Sequence, residues 1–435
     1  MRAALIGVVA VGTAVSVAAF GQGGERAGVP EARPVALPHC SSLMYGGEAH
    51  PDVLIAASTS LQGRAADYGV QGVQAMKLAL AERRWRAGNL RVGLQTCDEI
   101  SASRGLSSPA KCRSSARAFA RNRSVLGVVG PMHSPCAEEM LPSLNRAPGG
   151  PLVLVGPSAT LLGLTRTGPG AEGADPERYL PTGRRSFVRL VPADDVQGAA
   201  GAVFAKRAGT ESVYVLHSCD CAYGVGVAGA FQRAAARVGL RVAGSGQWST
   251  YASDYRALAD RIRRTGADAV YLGGYLENNG VRLISDLRAV LGPRIALLAP
   301  DGFASPGPIV EGAGAAAEGL TVTIAGLPSN ELPAAGRRFA SRFEERYLSR
   351  PRSFSLHAAQ AVHVLLDAIA DSDGSRADVT KRVLRTDVED GLLGDFEFDR
   401  YGDTTLNSVG VYRIEDGRMR FKTAISTPAE RIALR

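Results

Sequence analysis

From residue 51 the chain alternates short apolar runs with longer stretches in which apolar residues recur every three or four positions. "VLIAAS" (53–58), "LRVGLQTC" (90–97), "VLGVVG" (125–130) and "PLVLVG" (151–156) are of the first kind. Between the first two, "YGVQGVQAMKLALAERRW" (68–85) places Val70, Val73, Met76 and Leu80 at helical spacing, and further helices are predicted at about 109–121 and beyond 130. Strands buried on both faces of a parallel sheet need continuous apolar runs, and helices between them make βαβ units. A Gly/Pro-rich excursion (164–183) and the strand "SFVRL" (186–190) interrupt the alternation. It then restarts with helices at 194–209, 223–239, 254–266 and 278–291 between the strands 212–218, 241–248, 269–275 and 295–301. The strand "LTVTIAG" (320–326) and long helices at 334–348 and 355–371 follow. The chain closes on predicted antiparallel strands, 395–399 and 408–425, with Asp416-Gly417 as a hairpin turn. The fold class is α/β, with two doubly wound, Rossmann-like lobes and a ligand cleft between them.

At 435 residues the chain exceeds one compact core. Its net charge of +8 comes largely from Arg scattered over helical faces, such as Arg113, Arg117 and Arg121, without the aromatic-interleaved stripe of a nucleic-acid binder. The start is distinctive: Arg2 precedes an uncharged run, 3–20, so residues 1–22 read as a signal peptide or a membrane anchor. Residues 23–50 read as a Gly/Pro-rich spacer. No second apolar run of that length occurs, which places the rest of the chain outside the cytoplasm, touching a membrane only through this segment or a partner. Six cysteines in an exported chain favour disulfides, and six allow fifteen connectivities. "HSCDC" (217–221) could also ligate a metal through His217, Cys219 and Cys221. Zinc wants four ligands and no second cluster accompanies them, so neither metal nor cofactor is expected.

In open parallel sheets, ligands bind beyond the carboxyl ends of strands. There one lobe presents Ser60, Tyr68, Asp98, Ser134, Ser158, Ala159 and Thr160, and the other Tyr223, Tyr275 and Asp301. Hydroxyls and backbone N–H groups near helix starts suit a carboxylate, and an aspartate opposite suits an ammonium, so the two walls suit a zwitterion. Each residue also has a plainer role: Ser134 and Thr160 as helix N-caps, the tyrosines as rim aromatics, Asp301 before Gly302 as a turn residue.

These stretches, "LQGRAADYGVQGVQ", "GPMHS", "VGPSATLLGLT", "HSCDCAYGVGVA", "VYLGGYLENNG" and "APDG", come in one order along the chain. In that order the chain from about 52 to 420 resembles the type I periplasmic solute-binding proteins, in the leucine/isoleucine/valine-binding branch that serves ABC importers. The resemblance implies three hinge crossings, at 186–190, 320–326 and 391–398. One lobe would be 51–188 plus 324–390 and the other 189–323 plus 391–425. It further implies that Ser134 and Thr160, with the backbone at Ala159, bind the ligand carboxylate. Tyr68 would lie against the ligand side chain, Tyr223 and Tyr275 would close over it, and Asp301 would take the ammonium. The ligand would be a small, aliphatic amino acid and the partners ABC permease subunits. Four departures stand out: Asp301 in place of the family's Glu, Pro135 after Ser134, an excursion at 164–183 long enough to cover the cleft mouth, and the two cysteines of "HSCDC" beside Tyr223.

An enzyme is disfavoured. Ser134 has no G-x-S-x-G elbow around it, His133 is its sequence neighbour and poorly placed as its base, and no P-loop or HExxH motif occurs. The remaining alternative is a membrane-tethered sensing domain that signals to a partner instead of feeding a permease.

Overall fold

The computed structural model describes residues 31–103, 105–168, 171, 176–218 and 222–426. The predicted N-terminal segment, Cys219 and Cys221 lie outside them. The first lobe opens with β1 (Val53–Thr59), α1 (Ala66–Glu82), β2 (Arg86–Ala87), β3 (Leu90–Asp98) and α2 (Pro109–Arg121). It continues with β4 (Val125–Val129), α3 (Ser134–Asn145), β5 (Leu154–Gly156), α4 (Pro176–Tyr179) and β6 (Phe187–Arg189). The second lobe follows with α5 (Asp194–Arg207), β7 (Ser212–Ser218), α6 (Ala222–Arg237), β8 (Arg241–Trp248) and α7 (Arg256–Arg264). Next come β9 (Ala269–Gly273), α8 (Gly280–Leu291), β10 (Ala296–Ala299), α9 (Pro306–Ala313) and β11 (Thr321–Ala325). The chain ends with α10 (Ala334–Tyr347), α11 (Ser353–Asp371), α12 (Arg376–Val383), β12 (Asp387–Val388), β13 (Phe396–Glu397), β14 (Ser408–Glu415) and β15 (Arg418–Ser426).

The first lobe's sheet runs β2-β3-β1-β4-β5-β6 and the second lobe's β15-β14-β11-β10-β9-β7-β8, with β12 and β13 as a separate antiparallel pair. Within the two large sheets all neighbours are parallel except β2 with β3 and the pairs made by β14. The apolar runs explain this, since β1, β4, β9 and β11 are buried at every position and helices cover both faces of each sheet. The hairpin turn is where the sequence placed it. Glu415 pairs with Arg418, and Asp416 and Gly417 both take positive φ, at 52° and 67°.

The chain passes between the sheets after β6, after β11 and before β14. Residues 391–398, expected as the third crossing and the start of the second lobe's last segment, instead pack Leu392, Phe396 and Phe398 into the first lobe's core, so the return begins nearer β14. Two of these passages are tied together by Arg189, fully buried at the end of β6. Its guanidinium donates to Asp403 at 2.7 Å, to the Leu161 carbonyl at 2.8 Å and to Thr165 at 2.5 Å. Arg166 holds the other Asp403 oxygen at 2.6 Å. Burial pushes the Asp403 carboxyl up, but Arg189 and Arg166 outweigh it and leave the group below its ordinary value.

Residues 31–50 also depart from the extended spacer expected of them. Ala32 and Val35 are buried, Val35 exchanges hydrogen bonds with the Gln95 side chain at 2.7 and 2.9 Å, and Met44 pairs with Leu94. A disulfide from Cys40 to Cys97 fastens the segment, and a second joins Cys112 on α2 to Cys136 on α3. The described part of the 164–183 excursion packs Leu164 and Tyr179 into the first lobe, with Thr182 held by Asn145 at 2.7 Å, and does not line the cleft mouth.

Candidate functional site

Register brings the strand ends level. Thr59 pairs with Asp98, Ala57 with Val129 and Val129 with Val155, so the residues after β1, β3, β4 and β5 share one edge of the first sheet. Facing them are the turns after β9 and β10. Gly302 lets these two turns pack against each other, because a Cβ there would sit 2.2 Å from the Gly274 carbonyl oxygen. Between the two edges lies a cavity of about 40 Å³. It is lined by Tyr68, Met132, His133, Ser158, Thr160 and Phe354 from the first lobe. Tyr223, Tyr275, Glu277, Asp301 and Ser305 line it from the second. A wider mouth of about 940 Å³ adjoins it, with Glu277 on the wall of both.

Five of the seven residues singled out from sequence meet here: Tyr68, Thr160, Tyr223, Tyr275 and Asp301. The Tyr68 hydroxyl crosses from α1 to donate to the Ala304 carbonyl at 2.8 Å, a direct link between lobes. Tyr223 stacks on Tyr275 with ring centroids 4.4 Å apart and donates to Asp301 at 2.9 Å. Burial pushes the Asp301 carboxyl up to about 6, against the Tyr223 hydroxyl, the Ala325 N–H and Gln197, which favour its charged form.

Ser134 and Ala159 do not line the cavity. His133 is the N-cap of α3, so Ser134 begins the helix with its side chain turned inward, where its hydroxyl accepts the Leu161 N–H at 3.2 Å. The Ala159 carbonyl accepts from Arg189 at 3.3 Å. Both residues hold the 157–161 loop, and it is Ser158 and Thr160 that reach the cavity.

Sequence reasoning passed over the other charged residues in and behind the cavity wall. Glu99, fully buried, accepts the backbone N–H groups of Met132 and His133 at 3.1 and 3.0 Å and pairs with His133 Nδ1 at 2.7 Å. Burial pulls the imidazole pKa down, but Glu99, with Glu277 and Asp301 further off, more than restores it, and it lies above its ordinary value. Asp194 begins α5 with no well-formed hydrogen bond to either side-chain oxygen. Burial drives its carboxyl far up; the adjacent Thr160 hydroxyl opposes this and the charge of Asp301 adds to it. Strand ends pointed to these stretches, since Glu99 follows Asp98 and His133 precedes Ser134. Which of two adjacent side chains turns into the cleft was not legible there. No cluster of metal-ligating side chains occurs among the described residues, and none of their helices is long and apolar enough to cross a membrane.

The chain matches the periplasmic binding protein family over residues 52–418. A leucine-, isoleucine-, valine-, threonine- and alanine-binding protein of Pseudomonas aeruginosa is 27% identical over 232 residues, which are 53% of this chain. The match spans 60% of that relative's length. The structure of a leucine-binding protein of Thermotoga maritima superposes with a TM-score of 0.73 at 25% identity, covering 87% of this chain and 99% of that one. An ABC-transporter solute-binding protein of Rhodopseudomonas palustris, solved with p-hydroxybenzoic acid, shares the fold at a TM-score of 0.70 and 16% identity, covering 86% and 97%. Two sheets with facing strand ends, a small polar cavity between them and a family match across both lobes lead to one conclusion: this chain belongs to the periplasmic binding proteins, a family that binds substrates without transforming them.

Proposed function

We propose that this protein is the extracytoplasmic substrate-binding component of an ABC importer and captures a small amino acid between its lobes. The observation that carries the reading is Asp301 on one wall and Thr160 on the other of a single cavity roofed by Tyr223 and Tyr275. The ammonium would pair with Asp301 and the carboxylate would lie at the Thr160 loop, which Ser134 and Ala159 keep in place. The names of the Pseudomonas and Thermotoga relatives support amino acids as the ligand class, while the hydroxybenzoate complex leaves aromatic acids as the competitor to test. Permease subunits are the partners this reading requires.

A ligand held half by each lobe shifts the equilibrium towards closure only by its differential affinity for the closed form. Calorimetric titration with free L-amino acids and with 4-hydroxybenzoate should give saturable binding of an amino acid, accompanied by a smaller radius of gyration in small-angle scattering. Tyr223→Ala/Tyr275→Ala should lose most of that contraction. Binding of hydroxybenzoate but of no amino acid would overturn the reading.

A further inference from the structure

We propose that the cleft selects an amino acid with a carboxamide side chain, held between His133 of the first lobe and Glu277 of the second. This rests on the amino-acid reading above. His133 Nδ1 is engaged by Glu99 at 2.7 Å, with Ser60 at 3.3 Å. The two ring nitrogens of an imidazole point away from one another, so Nε2 faces away from Glu99. The ring stands edge-on to Tyr275 at 5.2 Å and lines the cavity. Glu277, two residues beyond Tyr275, lines the same cavity and makes no side-chain hydrogen bond or ion pair to another residue among the described residues.

Tyr275 stacks in turn on Tyr223, whose hydroxyl holds Asp301. Asp301, Tyr223, Tyr275 and His133 therefore follow one another across the cavity. A ligand anchored by its ammonium at Asp301 extends its side chain along Tyr275 towards His133 and Glu277. Glu99 on Nδ1 favours the charged ring, the form in which Nε2 donates, and Glu277, whose carboxyl burial pushes up, offers an acceptor oxygen. A carboxamide answers both at once, its oxygen to the imidazole and its NH₂ to the carboxylate, without adding charge. A carboxylate side chain would face Glu277 and an ammonium would face His133. An aliphatic side chain would satisfy neither and leave two polar groups desolvated, the situation in which hydrogen-bonding sites discriminate most strongly.

The test is calorimetric titration of the full-length protein with L-glutamine, L-asparagine, L-leucine and L-valine. At least one amide should bind tenfold or more tighter than either aliphatic amino acid. Glu277→Leu and His133→Leu should each reduce that ratio to below threefold. Leucine or valine binding as tightly as both amides would overturn this proposal and leave the amino-acid reading standing. A ratio unchanged in both variants would also overturn it. Binding of none of the four, nor of glycine or alanine, would overturn both readings.

Discussion

Asp301→Asn should do two opposite things. In the free protein the carboxyl has a folded pKa of about 6 against an ordinary 3.8, because burial beside the small cavity disfavours its charged form. Well below pH 3.8 the group is protonated folded and unfolded alike, and costs nothing. As pH rises from about 4 to about 6 the unfolded chain ionises first, so stability falls, and above about 6 the folded state carries the whole penalty. Between those two values each pH unit removes about 1.4 kcal/mol, which comes to about 3 kcal/mol in all. Asparagine can still accept from the Tyr223 hydroxyl but never ionises. The variant should therefore match wild type at pH 3.5 and exceed it by up to about 3 kcal/mol at pH 8, measured by urea unfolding without ligand. With ligand the order reverses: losing the partner of a desolvated ammonium should weaken binding by roughly 2–5 kcal/mol. A binding site that stores instability until its ligand arrives is the expected trade between stability and function. Unfolding curves that stay parallel across pH would refute the reasoning, because they would mean that Asp301 is hydrated in the free protein. Unchanged affinity would separately remove its role towards the ammonium.

Arg189→Met, which leaves Asp403 buried with only Arg166 beside it, should cost roughly 3–5 kcal/mol in chemical unfolding at pH 7; a loss under 1 kcal/mol on this scale would show that the two passages do not depend on the pair. Asp403 itself contributes stability above its ordinary 3.8 that is lost as pH falls through its lowered folded value, so acid should narrow the gap between variant and wild type. The disulfides close sequence separations of 57 and 24 residues, for which chain entropy predicts about 4 and about 3 kcal/mol. Cys40→Ser/Cys97→Ser should fall by the larger amount, and alkylation without reduction should label at most Cys219 and Cys221; six labelled cysteines would sink the assignment.

The alternation of apolar runs and helical spacing was enough to place both lobes, because a strand buried on both faces and a helix buried on one impose different periods on the chain. The same holds for the hairpin at Asp416-Gly417, where two adjacent residues must take positive φ. Tyr68, Thr160, Tyr223, Tyr275 and Asp301 were legible because strand ends in such sheets converge by topology. What periodicity could not carry was the direction of individual side chains in the turns. Ser134 and His133 are neighbours, yet the helix start sends the hydroxyl inward to Leu161 and leaves the imidazole at the cleft, where Glu99, more than thirty residues earlier, captures it. Arg189 likewise reads as a lone charge in an apolar strand until Asp403 arrives from more than 200 residues away. Residues 31–45 look like a spacer by composition, and only the Cys40–Cys97 bridge and the Gln95 side chain make them part of the first lobe. Local pattern decides which face of an element is buried; the partner of a buried charge is decided by the packing that brings distant segments together.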